Sequence, residues 1–148
     1  MADPTIVLGN RILWGAVAAS LSAQSLKLIL VLVQERAWRP RVLFETGGMP
    51  SSHSALVTAL ATGIGKTQGW DSSAFAIATV FAIVVMYDAT GIRRAAGNQA
   101  KAINQIVSEV LAPHHDLEWD PLKELLGHTP LQVAVGSLWG LAIAWFGV

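Results

Sequence analysis

Apolar and polar positions fall in long blocks along this chain, not in the short alternations of strands. Residues 12–33 are mostly apolar and long enough to cross a bilayer as a helix. Ser20, Gln24 and Lys27 break that block at helical spacing, which puts them on one face. A polar stretch, QERAWRPRVLFETGGMP, leads to a short apolar helix over 54–65, SALVTALATGIG. KTQGWDSS reads as a turn, and residues 73–92 make a strong spanning block that ends in YDATGI. The next block, 93–111, holds two Arg, one Lys, two Asn and two Gln. It is too polar to face lipid all round, so an amphipathic helix is expected there, either interfacial or re-entrant. A polar connection, APHHDLEWDPLKELLGH, precedes a last apolar block over 130–148. The expected fold is a single all-α domain over 1–148: an integral membrane helical bundle of about four spans plus that amphipathic helix.

Composition agrees. The chain of 148 residues is 53% hydrophobic and 14% charged, against about 25% charged in soluble domains. Ten basic and ten acidic residues cancel, so nothing favours nucleic acid. The absence of cysteine excludes disulfides, thiol nucleophiles and cysteine metal sites. The start, MADPTIVLGNR, lacks the basic region and cleavage site of a secretory signal, so the first apolar block is expected to be retained. Trp residues mostly flank the spans, as interfacial aromatics do. Arg36, Arg39, Arg41, Arg93, Arg94, Lys101 and Lys123 fall on one predicted side, with Arg11 and Lys66 opposite. That bias makes the richer side cytoplasmic.

Four polar constellations stand against this apolar background. In GGMPSSHSALV, Gly47 and Gly48 permit a tight loop, and Ser51 or Ser52 can cap the helix that follows. A helix N-terminus with free N–H groups and hydroxyls attracts phosphate, and His53 would stand beside it as a titratable group. The plainer alternative is a capped helix start with an incidental histidine. KELLGHTPLQVAVG again puts a histidine, His128, and then a proline at the mouth of an apolar helix. YDATGIRRAAGNQAKAIN ends a span on the carboxylate Asp88, and Arg93 and Arg94 supply permanent charge suited to phosphate. Lys27 lies inside the first block, with Arg39 and Pro40 beyond it; snorkelling would also explain Lys27. Two histidines beside bound phosphate have a clear use, because one can attack phosphorus while the other moves protons. That chemistry requires no metal and no cofactor. His114, His115 and Asp116 could suggest a metal site, but adjacent side chains diverge and a solvated loop is the better reading.

These strings resemble the type-2 phosphatidic acid phosphatase superfamily, which includes the vanadium-dependent haloperoxidases. Its motifs are K-x6-R-P, P-S-G-H and S-R-x5-H-x3-D. Pro50-Ser51-Ser52-His53 resembles the second, and the run from His128 to Gln132 resembles the third around its histidine. Lys27 with Arg39-Pro40 resembles the first. GGMPSSHSA, YDATGIRRAAG and LKELLGHTP look more like a small divergent branch of that superfamily. Eleven residues separate Lys27 from Arg39 where the pattern has six, and Ser52 replaces the motif glycine. Leu122 stands at the motif arginine, with Lys123 next to it, and Gln132 replaces the aspartate that orients the nucleophilic histidine.

The resemblance implies a membrane phosphatase acting on a phosphomonoester or diphosphate of a lipid or prenyl chain. His128 would be the nucleophile and His53 the general acid and then base. Ser51, Ser52, Arg93, Arg94, Arg39, Lys123 and Lys27 would be the candidates to hold phosphate, with Asp88 and Gln132 supporting. The alternative is a non-catalytic membrane protein that keeps the anion pocket and binds a phosphate lipid or a partner protein. Four spans leave room for a second copy or a membrane-protein partner in covering the polar site. For the histidines to meet, residues 93–111 must not carry the chain to the other side.

Overall fold

The computed structural model describes residues 4–36, 38, 40–43, 47–111, 120–124 and 126–148. A 3-10 turn at Pro4–Gly9 precedes α1 (Arg11–Glu35), and a second one lies at Pro40–Leu43. Then come α2 (Ser52–Gln68), α3 (Ser73–Thr90), α4 (Ile92–Leu111) and α5 (Pro130–Gly147). No strand occurs among the described residues, and the fold is an all-α membrane bundle. Arg39 and the 114–116 cluster lie outside the described residues.

Each spanning helix starts where the sequence supplies a cap. The Asn10 side chain accepts from the Leu13 N–H at 3.0 Å, and Ser72 accepts from Phe75 at 3.2 Å. Thr129 and Gln132 form a reciprocal capping box with Pro130 just inside α5. α1, the run from α3 into α4, and α5 are long and apolar enough to cross a membrane. Their outward faces carry exposed Leu21, Ile29, Ile77, Phe81, Val84, Leu138 and Leu141. An aqueous protein rarely shows that much apolar surface.

α2 differs from the three spans. It has 17 residues, half of them buried, and it packs against α1, α3 and α5. The expected fourth span is therefore an inner helix, screened from lipid by the other three. Its sequence allows this because small side chains let neighbours approach closely. Ala55 and Ala59 of α2 join Ala16, Ala19 and Ala23 of α1 and Ala144 of α5 in one buried cluster. Gly136 and Gly140 of α5 lie directly on the backbone of Ser51 and Ala55. Lipid tails are as apolar as any side chain, so close backbone packing of small residues is a main source of association between helices in a bilayer. These contacts run in step along α2 and α5, so the two helices are parallel. Their N-termini meet at one end, where the Ser51 N–H donates to the Gln132 carbonyl at 3.1 Å. At the other end Lys66 Nζ donates to the carbonyls of Trp145 (2.5 Å) and Ala144 (3.4 Å), closing the C-terminus of α5.

The polar face of α1 is also explained. Gln24 Nε2 donates to the Leu43 carbonyl at 2.8 Å, and Lys27 is only 4% exposed. That face receives the chain leading into α2 and does not look into lipid.

Candidate functional site

Three structures meet at the end of the bundle where α2 and α5 begin. The first is the loop before α2. Gly47 and Gly48 take φ of 102° and 85°, as expected of a loop that needs glycine. The turn brings Gly48 onto the Lys27 side chain: a Cβ there would lie 2.6 Å from Lys27 Cε and 3.5 Å from Nζ. Ser51 then caps α2, its Oγ accepting from the Ser54 N–H (3.3 Å) and from Ser54 Oγ (2.9 Å). His53, in the first turn, is exposed.

The second is the loop before α5. The His128 N–H donates to the Ala89 carbonyl at 2.9 Å, fixing the loop to the last turn of α3. Gly127, at φ 84°, makes that approach possible, because a Cβ would meet the Ala89 carbonyl at 2.9 Å and the Arg94 N at 2.6 Å. The His128 ring is buried, at 6% exposure. Its Nδ1 has no hydrogen-bond partner among the described residues. The third is the junction of α3 with α4, where Arg93 Nε donates to Asp88 Oδ2 at 2.5 Å.

Together these border a small open cleft, lined by His53, Val85, Asp88, Ala89, Arg93, Gly127 and His128. Both candidate histidines, the carboxylate at the end of α3 and one arginine thus face the same space. The other candidates do not line it. Ser51 spends its hydroxyl on the helix cap, and Ser52 is buried beside it. Arg94 and Lys123 are exposed elsewhere. Lys27 lies beneath Gly48, close enough for its charge to act on His128. The Gln132 side chain accepts from the Thr129 N–H at 2.9 Å, so it belongs to the capping box and does not orient His128. Asp88, the other candidate for that task, has its carboxylate on Arg93.

Val85, Ala89 and Gly127 were not anticipated from the sequence. Only Gly127 carried a signal, as the glycine just before a histidine at a helix mouth. The T-x-x-Q spacing of Thr129 and Gln132 was likewise a readable capping-box signature.

The electrostatics of the cleft favour a neutral His128. Burial holds the His128 pKa down to about 4, and the positive fields of His53, Lys27 and Arg93 press the same way. A free imidazole titrates near 6.5. The unfolded chain therefore binds this proton more readily than the folded one between these limits. Stability from this group is complete above about pH 6.5 and declines as pH falls toward 4. Its slope is at most about 1.4 kcal/mol per pH unit for one proton. Thermal unfolding in detergent should show a midpoint falling across that window, and His128→Asn should flatten the fall. A midpoint with the same pH dependence in both proteins would contradict this.

Comparison with known proteins fits this geometry. A model of the divergent PAP2 family matches residues 8–143. The chain belongs to that family. It is also similar to the uncharacterized membrane protein YuiD of Bacillus subtilis (strain 168), with 41% identity over 147 residues and 93% of each chain covered. No solved structure matches. The motif resemblance read from GGMPSSHSA, YDATGIRRAAG and LKELLGHTP thus holds at the level of the family. The membrane-protein relative and the three apolar helices make this an integral membrane protein.

Proposed function

We propose that this divergent PAP2 protein is a membrane phosphatase that removes phosphate from a lipid or prenyl phosphate through a phosphohistidine. The observation that carries the reading is the convergence of His53, Asp88, Arg93 and His128 on one cleft at the paired N-termini of α2 and α5. His128, neutral at physiological pH, attacks phosphorus through Nε2. The N–P bond forms as the bond from phosphorus to the alcohol oxygen breaks, and a protonated His53 gives its proton to that oxygen. His53 then takes a proton from water, whose oxygen attacks phosphorus. The N–P bond breaks, releasing phosphate and restoring the imidazole. Arg93 stabilises charge on the phosphoryl oxygens, and the positive field of Lys27 adds to it from beneath Gly48. The excess of positive residues in the two connections on this predicted side, among them Arg36, Arg93, Arg94, Lys101 and Lys123, supports a cytoplasmic location for the site.

A second reading rests on a specific observation. His128 Nδ1 is buried without a partner, and Gln132 is committed to the helix cap. A nucleophile with no acceptor for its second N–H is poorly stabilised as a cation. The chain would then keep the anion pocket and bind phosphate lipids without turnover.

Phosphate release from a panel of lipid and prenyl phosphates, by detergent-solubilised protein with chelator present, separates the two. Turnover supports the phosphatase; binding of the same lipids by folded protein without turnover supports the second reading. Within the first, Arg93→Gln should raise KM about tenfold or more, with a smaller effect on kcat, because a charge-assisted phosphate contact is lost. An unchanged KM would remove Arg93 from the phosphate site.

A further inference from the structure

α4 follows the spanning helix α3 after a single residue, Gly91, whose φ of −101° and ψ of −83° depart from helical geometry. It makes helix contacts only with α3 among the described residues. Its other attachments are to the chain before His128. Asn104 Nδ2 donates to the Leu122 carbonyl at 2.9 Å, Asn104 Oδ1 accepts from the Leu122 N–H at 2.9 Å, and Gly97 packs on the Glu124 carbonyl. The helix is two-sided, with Gln99 the polar residue that falls within its apolar arc. Ile92, Ile103 and Ile106 lie on one arc, while Arg94, Lys101 and Gln105 lie on the other. Ile92 is 64% and Ile106 60% exposed, with no protein over them.

We propose that α4 lies along the bilayer surface on the side of the cleft. Its isoleucine arc enters the acyl boundary, and its basic arc meets anionic headgroups. Three observations select this occupant. The exposed isoleucines of α4 follow, across Gly91, a helix whose Ile77, Phe81 and Val84 are also exposed. The isoleucine arc spans about half the helix circumference, the breadth of an interfacial helix and wider than the seam of a two-helix coil. The exposed cations Arg94 and Lys101 outnumber the acidic Glu109 on the polar arc, which complements a negative leaflet. A full crossing would push that polar arc into hydrocarbon with no helix to cover it. This placement of α4 holds whether or not the cleft is catalytic. It places the mouth of the cleft, which Arg93 of the first turn of α4 helps to form, at headgroup depth.

The chain has no cysteine, so single-cysteine spin labels can be placed along residues 98–109 without removing native thiols. The protein would be reconstituted in vesicles of phosphatidylcholine with phosphatidylglycerol. Oxygen accessibility should peak at labels on 103 and 106. Accessibility to an aqueous nickel complex should peak at 98, 101 and 105, with a period near 3.6 residues. Lys101→Glu should make the labels at 103 and 106 shallower in anionic vesicles and leave them unchanged in pure phosphatidylcholine. Uniform aqueous exposure would overturn the proposal, as would labelling of 108 from the side opposite 98. Spin–spin broadening between copies at 103 and 106 would replace the bilayer with a second chain as the occupant. The scan reads many sites, so loss of folding in one variant does not blunt it.

Discussion

Replacing His128 by alanine is expected to lower phosphate release on the order of a thousandfold or more, to the background left by binding alone. The expectation follows from the role proposed for the ring, which would form the bond to phosphorus and have no substitute among the other groups of the cleft. His53→Ala should differ in kind. Loss of a general acid typically costs about 10²–10⁴-fold. The part of that loss that falls on departure of the alcohol should vanish with an aryl phosphate, whose leaving oxygen needs no proton, while the part that falls on the attack of water should remain. His128→Ala should gain nothing from the same substrate. The His128 ring is buried, so truncation also removes packing; His128→Asn keeps more of the volume and should be equally inactive. Wild-type turnover by folded His128→Ala would sink the assignment of the nucleophile. Rescue of both histidine variants by an aryl phosphate would show that neither is bonded to phosphorus.

Much of this architecture could be read along the chain. The helices over 11–35, 73–90 and 130–147 are long apolar blocks bounded by Asn10, Ser72 and Thr129, each with a short polar side chain able to satisfy the first free N–H groups. The meeting of the two histidines was also legible, because both stand at the mouths of helices that must start on the same side. The remainder depends on what lies across from each residue, and linear spacing does not encode that. Lys27 looked too far from Arg39 for its motif. Its place is set by Gly48, whose positive φ folds the loop onto the lysine. Gln132 looked like a substitute for a missing aspartate. Three residues from Thr129 it has a nearer partner, and the helix cap takes it. Arg93 and Arg94 are adjacent and chemically equal, yet successive residues on a helix point about 100° apart, so only Arg93 lines the cleft. α2 was recognisable as a helix, but its inner position follows from alanines and glycines on two other helices, α1 and α5.

Those small residues carry the other large expected effect. Gly140→Leu should destabilise the bundle by about 3 kcal/mol or more, at or above the upper end of ordinary overpacking. A Cβ at Gly140 has no free space. The Ala55 carbonyl oxygen occupies its position, with Ala55 C and Cα each 2.8 Å away. The obstacle is backbone in the middle of α2, so no side-chain rotation relieves it, and the two helices must separate. Gly136 faces the same constraint from Ser51, whose N would lie 3.0 Å from a Cβ. Separation acts directly on the cleft, because the same contact holds the N-termini of α2 and α5 together and with them His53 and His128. Stability and phosphate chemistry should therefore fall together in Gly140→Leu, and Gly140→Ala should show both losses in weaker form. Gly147, at the end of the same helix, has nothing within 4 Å of a Cβ. Gly147→Ala should change stability by no more than about 0.5 kcal/mol, as an uncrowded surface substitution does. Thermal unfolding of the three variants in one detergent measures the difference. Equal midpoints for Gly140→Leu and Gly147→Ala would mean that α2 and α5 are not packed backbone to backbone.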